Sequence, residues 1–284
     1  MLSSAADIVS ARGAEPTAAT PSGAEDGSTV HVDRSWWSWN GAQGGYVAAL
    51  ALTAMRDERA ARAQGELPVR ALSAHFLAPV DERPLHFSAF ALREGSRTSM
   101  SSVTAVQDGV PALTGSAVFG RTGHGPVYDG IPAPDVPHPE ACPVLTLPNS
   151  LAAFAARLEI RPATGARPLG GGQQAELLAW MRFADHRPLD AETTVVLADA
   201  LPPALFALWT EARPVPTAEL TVHFTDALDA GPSDGWALVR IRTEHAGGGW
   251  VIDDSAIWSG DGRLLALARQ ARTVRDGLSA ERSQ

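Results

Sequence analysis

The 284-residue sequence contains no lysine and a single cysteine, Cys142. All 23 basic residues are therefore arginine, set against 32 acidic ones for a formal net charge of −9. An acidic chain without a basic cluster is a poor ligand for nucleic-acid phosphates, which excludes that class of function. One cysteine excludes an intrachain disulfide and a multi-cysteine zinc site, and it suits a reducing compartment. No apolar run reaches the ~18 residues that a membrane helix needs. Residues 1–28, rich in Ala, Ser, Gly, Pro and Glu, lack the basic and apolar regions of a secretory signal. They read as a flexible tail on a cytoplasmic protein, with a second tail at 276–284. What the chain has in plenty is apolar side chains, 45% against 19% charged, enough for a sizeable core.

A repeat organises that core. Residues 68–76 lie over residues 216–224 without a gap, at an offset of 148. Pro68 and Pro216, Leu72 and Leu220, His75 and His223, and Phe76 and Phe224 recur in register. Upstream of each segment, residues 44–55 and 199–209 are apolar nearly all the way round, which predicts a helix enclosed by other structure in each copy. Pro202 and Pro203 suit the first turn of the second of these. Downstream, strands are expected over 85–92, 98–107 and 112–119 in the first copy, and over 236–243, 250–259 and 264–274 in the second. Arg93-Glu94-Gly95 and Asp108-Gly109 separate the first set, and Gly247-Gly248-Gly249 and Asp261-Gly262 the second. Each copy thus reads as an antiparallel meander around one apolar helix. The expected organisation is a first unit at 29–122, a Gly- and Pro-rich linker at 123–150, and a second unit at 151–275.

Several features over residues 29–275 carry a family resemblance. They are Gly44-Gly45-Tyr46 opening the first helix, His75-Phe76-Leu77 with Pro79, Asp199 at the expected start of the second helix, Thr217 leading into Leu220-Thr221-Val222-His223-Phe224, and Gln270 near the end of the last strand. In their order and spacing the sequence resembles the double-hotdog acyl-CoA thioesterases, the acyl-CoA thioesterase II family and its thioesterase-like superfamily. The resemblance implies an α+β fold of two tandem antiparallel sheets, each wrapped around a long buried helix. It implies hydrolysis of a fatty acyl-CoA or related thioester to the free acid and CoA, by a water activated by Asp199, Thr217 and Gln270. It also implies substrate binding near Gly44, Gly45 and Tyr46, no cofactor or metal, and a homodimer or higher homo-oligomer. Tyr46 stands where these enzymes usually carry Gln, and Leu201-Pro202-Pro203 where they carry aromatic residues.

Comparing the two copies tests this chemistry from the residues alone. Val69 occupies the first-copy position of Thr217, Ala117 that of Gln270, and Gly44 or Gly45 that of Asp199, so the first copy lacks the same polar groups. One site per chain follows. Simpler roles stand beside the chemical ones: Asp199 as a helix N-cap, Thr217 as a β-branched strand residue, Gln270 as a buried amide. As a pair of amide donors for an oxyanion, Gly44 and Gly45 compete with a plain tight turn.

Gly231-Pro232-Ser233-Asp234-Gly235 matches the nucleophile elbow of α/β-hydrolases, but a strand and not a helix is expected after it, so it reads as a turn. His75 and His223 recur in both copies and are expected to be structural or solvent-facing. Trp36, Trp37 and Trp39 suit core packing, an oligomer contact or an acyl pocket. Two other functions fit the same fold: a hydratase or dehydratase, with His186 reaching Asp199, and a silent binder of acyl-CoA or another hydrophobic ligand.

Overall fold

A computed structural model describes residues 27–62, 66–148 and 152–275; of the expected tails at 1–28 and 276–284, residues 1–26 and 276–284 lie outside them, and Ser28 already belongs to the first strand. The elements run in chain order as β1 (Ser28–Val30), β2 (Trp37–Ser38), β3 (Gly41–Ala42), α1 (Gly44–Ala61), β4 (Val69–Phe76), β5 (Leu85–Arg93), β6 (Thr98–Gln107) and β7 (Val110–Gly120). The second half continues with β8 (Leu158–Pro162), β9 (Glu176–Phe183), α2 (Ala191–Ala198), β10 (Thr217–Phe224), β11 (Ala237–Gly247), β12 (Trp250–Ser259) and β13 (Leu264–Thr273). Eleven strands form one antiparallel sheet in the order β1-β5-β6-β7-β4-β10-β13-β12-β11-β9-β8. β2 and β3 pair separately. The α+β fold class expected from the sequence is the one observed, and β5, β6, β7, β11, β12 and β13 fall where turn signals and alternation place them.

The repeat explains the centre of the sheet. β4 and β10 pair antiparallel with Ser73 opposite Thr221, which are each other's repeat mates. Their hydroxyl oxygens lie 3.1 Å apart, on a pseudo-twofold axis relating the two halves. The hairpins close on the residues the sequence marks. Asp108 and Gly109 both take positive φ, 50° and 77°, as a tight two-residue turn of the favoured hand requires.

α1 is capped by Gln43, whose Oε1 accepts the Tyr46 N–H at 2.5 Å. Along it Leu50, Leu52 and Met55 are fully buried, each stabilising the fold by about 1.5–3 kcal/mol. α1 packs on β5, β6 and α2, and α2 on β12 and β13, so both helices lie inside the curve of the sheet. Among the described residues no helix is long and apolar enough to cross a membrane.

The second helix corrects the sequence reading. It spans Ala191–Ala198, begins at the Asp190–Thr193 capping box, and ends with Asp199 as its C-cap. Asp199 therefore closes this helix and does not open it. Pro202 and Pro203 follow as the stop that prolines shortly after a helix end provide, and residues 204–207 form a 3₁₀ turn. With eight residues against eighteen in α1, the second helix is a truncated copy.

The helices also meet through a charge pair. Glu192 is fully buried in the first turn of α2, with Arg56 of α1 at 3.1 Å. Burial pushes the Glu192 carboxyl up, and Arg56 only partly offsets this. The unfavourable contribution is therefore full above the raised value, shrinks as pH falls below it and is gone below the ordinary carboxylate range. Arg56 is more than one-third exposed and can be hydrated alone. Glu192→Gln is therefore expected to raise the melting temperature at pH 7.5 by about 2–4 °C. The gain should disappear near pH 4 in thermal melts across that range.

Residues 121–148 contain no strand, and part of this segment lies flat on the outer sheet face of the second half. Ile131, Ala133, Val136 and Cys142 cover Trp180, Trp236, Leu238 and Trp258. The indole N–H of Trp258 donates to the Ile131 carbonyl at 3.0 Å and that of Trp180 to the Pro137 carbonyl at 2.8 Å.

Candidate active site

β13 and β10 run side by side with Leu220 opposite Gln270, while β12 places Asp253 opposite Gln270 on the other flank. Inward-facing positions alternate along β13, which puts Ala266, Ala268, Gln270 and Arg272 on the buried side. α2 ends above them at Asp199, and the first turn of α1 approaches from the other half.

This brings Asp199, Thr217 and Gln270 together. The Gln270 amide Nε2 donates to Asp199 Oδ1 at 2.6 Å and lies 3.4 Å from Thr217 Oγ1. Asp199 Oδ2 accepts the Gly45 N–H at 2.9 Å. Gln43 Nε2 donates to the Asp199 carbonyl at 2.8 Å and to the Val196 carbonyl at 3.2 Å, tying the C-terminus of α2 to the N-terminus of α1. The carboxylate thus sits at a helix N-terminus, where anions are favoured, but the helix is α1 and not its own.

Gly44 and Gly45 are there for close approach. A Cβ on Gly45 would lie 2.8 Å from the Val195 carbonyl oxygen and 2.9 Å from Asp199 Cβ, and one on Gly44 would lie 2.9 Å from Asp199 Oδ2. The two amides expected as a donor pair are split: Gly45 N–H is committed to Asp199, whereas Gly44, the first helical residue, has no intrahelical acceptor. Tyr46 is fully buried, stacked on Trp36 at 4.2 Å, and its hydroxyl is pushed up to about 12 by burial. It packs the base of α1 beneath the site.

Three further residues complete the cluster and were missed in the sequence. Gln43 directly precedes the double glycine and belongs to no pattern that the sequence sets out. Arg272 is buried and donates from Nη1 to Thr217 Oγ1 at 2.8 Å, and from Nη2 to Gln270 Oε1 at 2.6 Å and Asp199 Oδ1 at 3.2 Å. Asp253, fully buried, lies 3.1 Å from Arg272 Nε and accepts the Thr243 hydroxyl at 2.6 Å. Burial pushes the Asp253 carboxyl up, with Arg272 and the Thr243 hydroxyl opposing. The signal for both was a charged residue in an inward slot of an alternating strand.

Elsewhere, Ser233 of the elbow-like motif pairs its backbone with Leu189 and β11 follows it, so the motif is a turn. His75 and His223 are exposed. His186 is not among the hydrogen-bond partners of Asp199.

Two antiparallel meanders joined edge to edge, with a helix from each half inside, define a double hotdog. The model of the acyl-CoA thioesterase N-terminal domain matches residues 33–120 and that of the C-terminal domain residues 139–274. The chain belongs to this acyl-CoA thioesterase family and carries both of its domains. A hot dog fold protein of unknown function from Alicyclobacillus acidocaldarius superposes with a TM-score of 0.82 at 24% identity, covering 90% of this chain and 96% of the other. The tesB protein of Mycobacterium avium subsp. paratuberculosis gives 0.67 at 20%, covering 84% and 89%. The acyl-CoA thioesterase II TesB2 of Mycobacterium marinum gives 0.66 at 22%, covering 85% and 92%. The comparison with curated proteins returns no match.

Proposed function

We propose that the protein is an acyl-CoA thioesterase that hydrolyses its substrate by direct attack of water, with one active site per chain at Asp199, Thr217 and Gln270. The observation that carries this is the convergence of the three side chains at the N-terminus of α1. Asp199 serves as general base, drawing a proton from the water as its oxygen bonds to the thioester carbon. Thr217 Oγ1 faces donors from Arg272 and Gln270, so its own hydrogen is left to donate outward and hold the water or the carbonyl oxygen. Both amide hydrogens of Gln270 are directed at Asp199 and Thr217, and its part is to hold these two in register. The Gly44 N–H is the donor left for the developing oxyanion. Collapse of the tetrahedral species expels the CoA thiolate, which takes up a proton.

The test is thiol release from a panel of short to long acyl-CoAs, with wild type beside Asp199→Ala. Turnover by wild type that vanishes in a folded variant supports the reading and reports the preferred chain. If wild type cleaves none of the panel, or the variant cleaves equally well, the reading is wrong. Stabilisation by a non-hydrolysable analogue without turnover would then favour a binding protein. Assembly as a homodimer and a cytoplasmic location belong to the same proposal, and gel filtration of the purified chain tests the first.

A further inference from the structure

The pseudo-twofold axis gives each strand residue of the site a mate in the first half. Gln270 faces Leu220 as Ala117 faces Leu72, and Arg272 faces Thr217 as Phe119 faces Val69. Asp253 faces Gln270 as Ser101 faces Ala117. Arg272 and Asp253 are therefore present where the trio is present, and absent, as Phe119 and Ser101, where it is absent. In the first half the Phe119 ring takes the place, with the buried Arg59 guanidinium of α1 4.7 Å above it. The strand pairing itself does not require an arginine at this position, since the first half carries Phe119 there.

Resting on the thioesterase reading, we propose that Arg272, anchored by Asp253, is the positioning residue that sets the hydrogen-bond polarity of the trio. Its guanidinium offers donors in a fixed plane and accepts nothing. Nη2 on Gln270 Oε1 decides which end of that amide meets Asp199, since only the NH₂ end is then free to point there. Nη1 on Thr217 Oγ1 occupies the hydroxyl as an acceptor and turns its hydrogen away. Without the guanidinium, the amide can flip and the hydroxyl can donate to Gln270, which removes the outward donor. The arginine thus acts on water only through Thr217, Gln270 and Asp199.

The test compares Arg272→Met, Arg272→Lys and Arg272→Ala in the thiol-release assay, alongside Asp199→Ala. Arg272→Met is expected to lower kcat about 10- to 100-fold, the range for losing one or two charge-assisted hydrogen bonds, with KM little changed. Arg272→Lys should recover part of the loss. Added guanidinium ion, at concentrations too low to unfold the protein, should raise kcat of Arg272→Ala in a saturable way. A residue that only supports the fold would move the melting temperature and not show that recovery. Should the methionine variant fail to fold, the lysine variant and the guanidinium titration still decide. Wild-type kcat in a folded Arg272→Met or Arg272→Ala variant, or no recovery in either the lysine variant or the titration, overturns the arginine's role while leaving Asp199 in place. Full activity of Asp199→Ala, or a wild type that cleaves nothing, overturns both readings.

Discussion

Asp199→Asn is expected to lower kcat for thioester hydrolysis by about 1,000-fold, the middle of the range for loss of a general base. The substitution keeps the volume and removes the basic oxygen. It also sets a trap for the new amide. Oδ1 faces donors from Gln270 and Arg272, and Oδ2 faces the Gly45 N–H. Whichever way the asparagine turns, its NH₂ points at another donor, and one buried group goes unpaired at about 1–3 kcal/mol. Steady-state kinetics with a parallel thermal melt separate the two effects. The kinetic loss should far exceed what the folded fraction explains, whereas a kcat within a factor of about three of wild type would remove Asp199 from the chemistry.

The second large effect is expected at Gly45. Alanine is about 1 kcal/mol better than glycine within a helix, so a position with no special demand would gain stability. Here the added methyl meets a backbone carbonyl and the Asp199 Cβ inside 3 Å, and neither is the free end of a flexible chain. α1 and α2 must part, at about 1–3 kcal/mol for the overpacking. The Gly45 N–H leaves the carboxylate as they do. Gly45→Ala should therefore lose both stability and turnover, and chemical denaturation with kinetics on the folded protein reads the two together. Gly44→Ala, whose methyl would meet Asp199 Oδ2 and the ring of Phe76, is the informative comparison.

The meander strands β5–β7 and β11–β13 were legible because each carries its own period-2 pattern and its own turn, whereas the short β1, β2 and β3 carry neither. β6 and β12 begin and end where the alternation does. The second helix was not, because Asp199 stands after one apolar run and before another, and Pro202-Pro203 suit a helix start as well as a helix stop. The deciding signal was local and lay earlier, in Asp190 and Thr193, which cap each other across one turn. The trio came from the family resemblance, with the differences between the copies at Thr217 and Gln270 in accord, and the fold brings its three side chains together. Gln43 and Arg272 were not, because their partners come from the far half or from a neighbouring strand, and only the register of β10, β12 and β13 brings them to Asp199.

Two residues that are repeat mates sit face to face at Ser73 and Thr221, the arrangement that a symmetric pair of separate chains would also give. In such a pair a single gene change is inherited by both sites at once, so neither could go silent without the other. Joining the two in tandem removes that bond. It lets one locus accumulate Val69, Ala117 and Phe119 while the other keeps Thr217, Gln270 and Arg272. The two halves stay coupled at the site through the start of α1, where Gln43 and Gly45 belong to the half without the trio and hold the Asp199 backbone and carboxylate of the other.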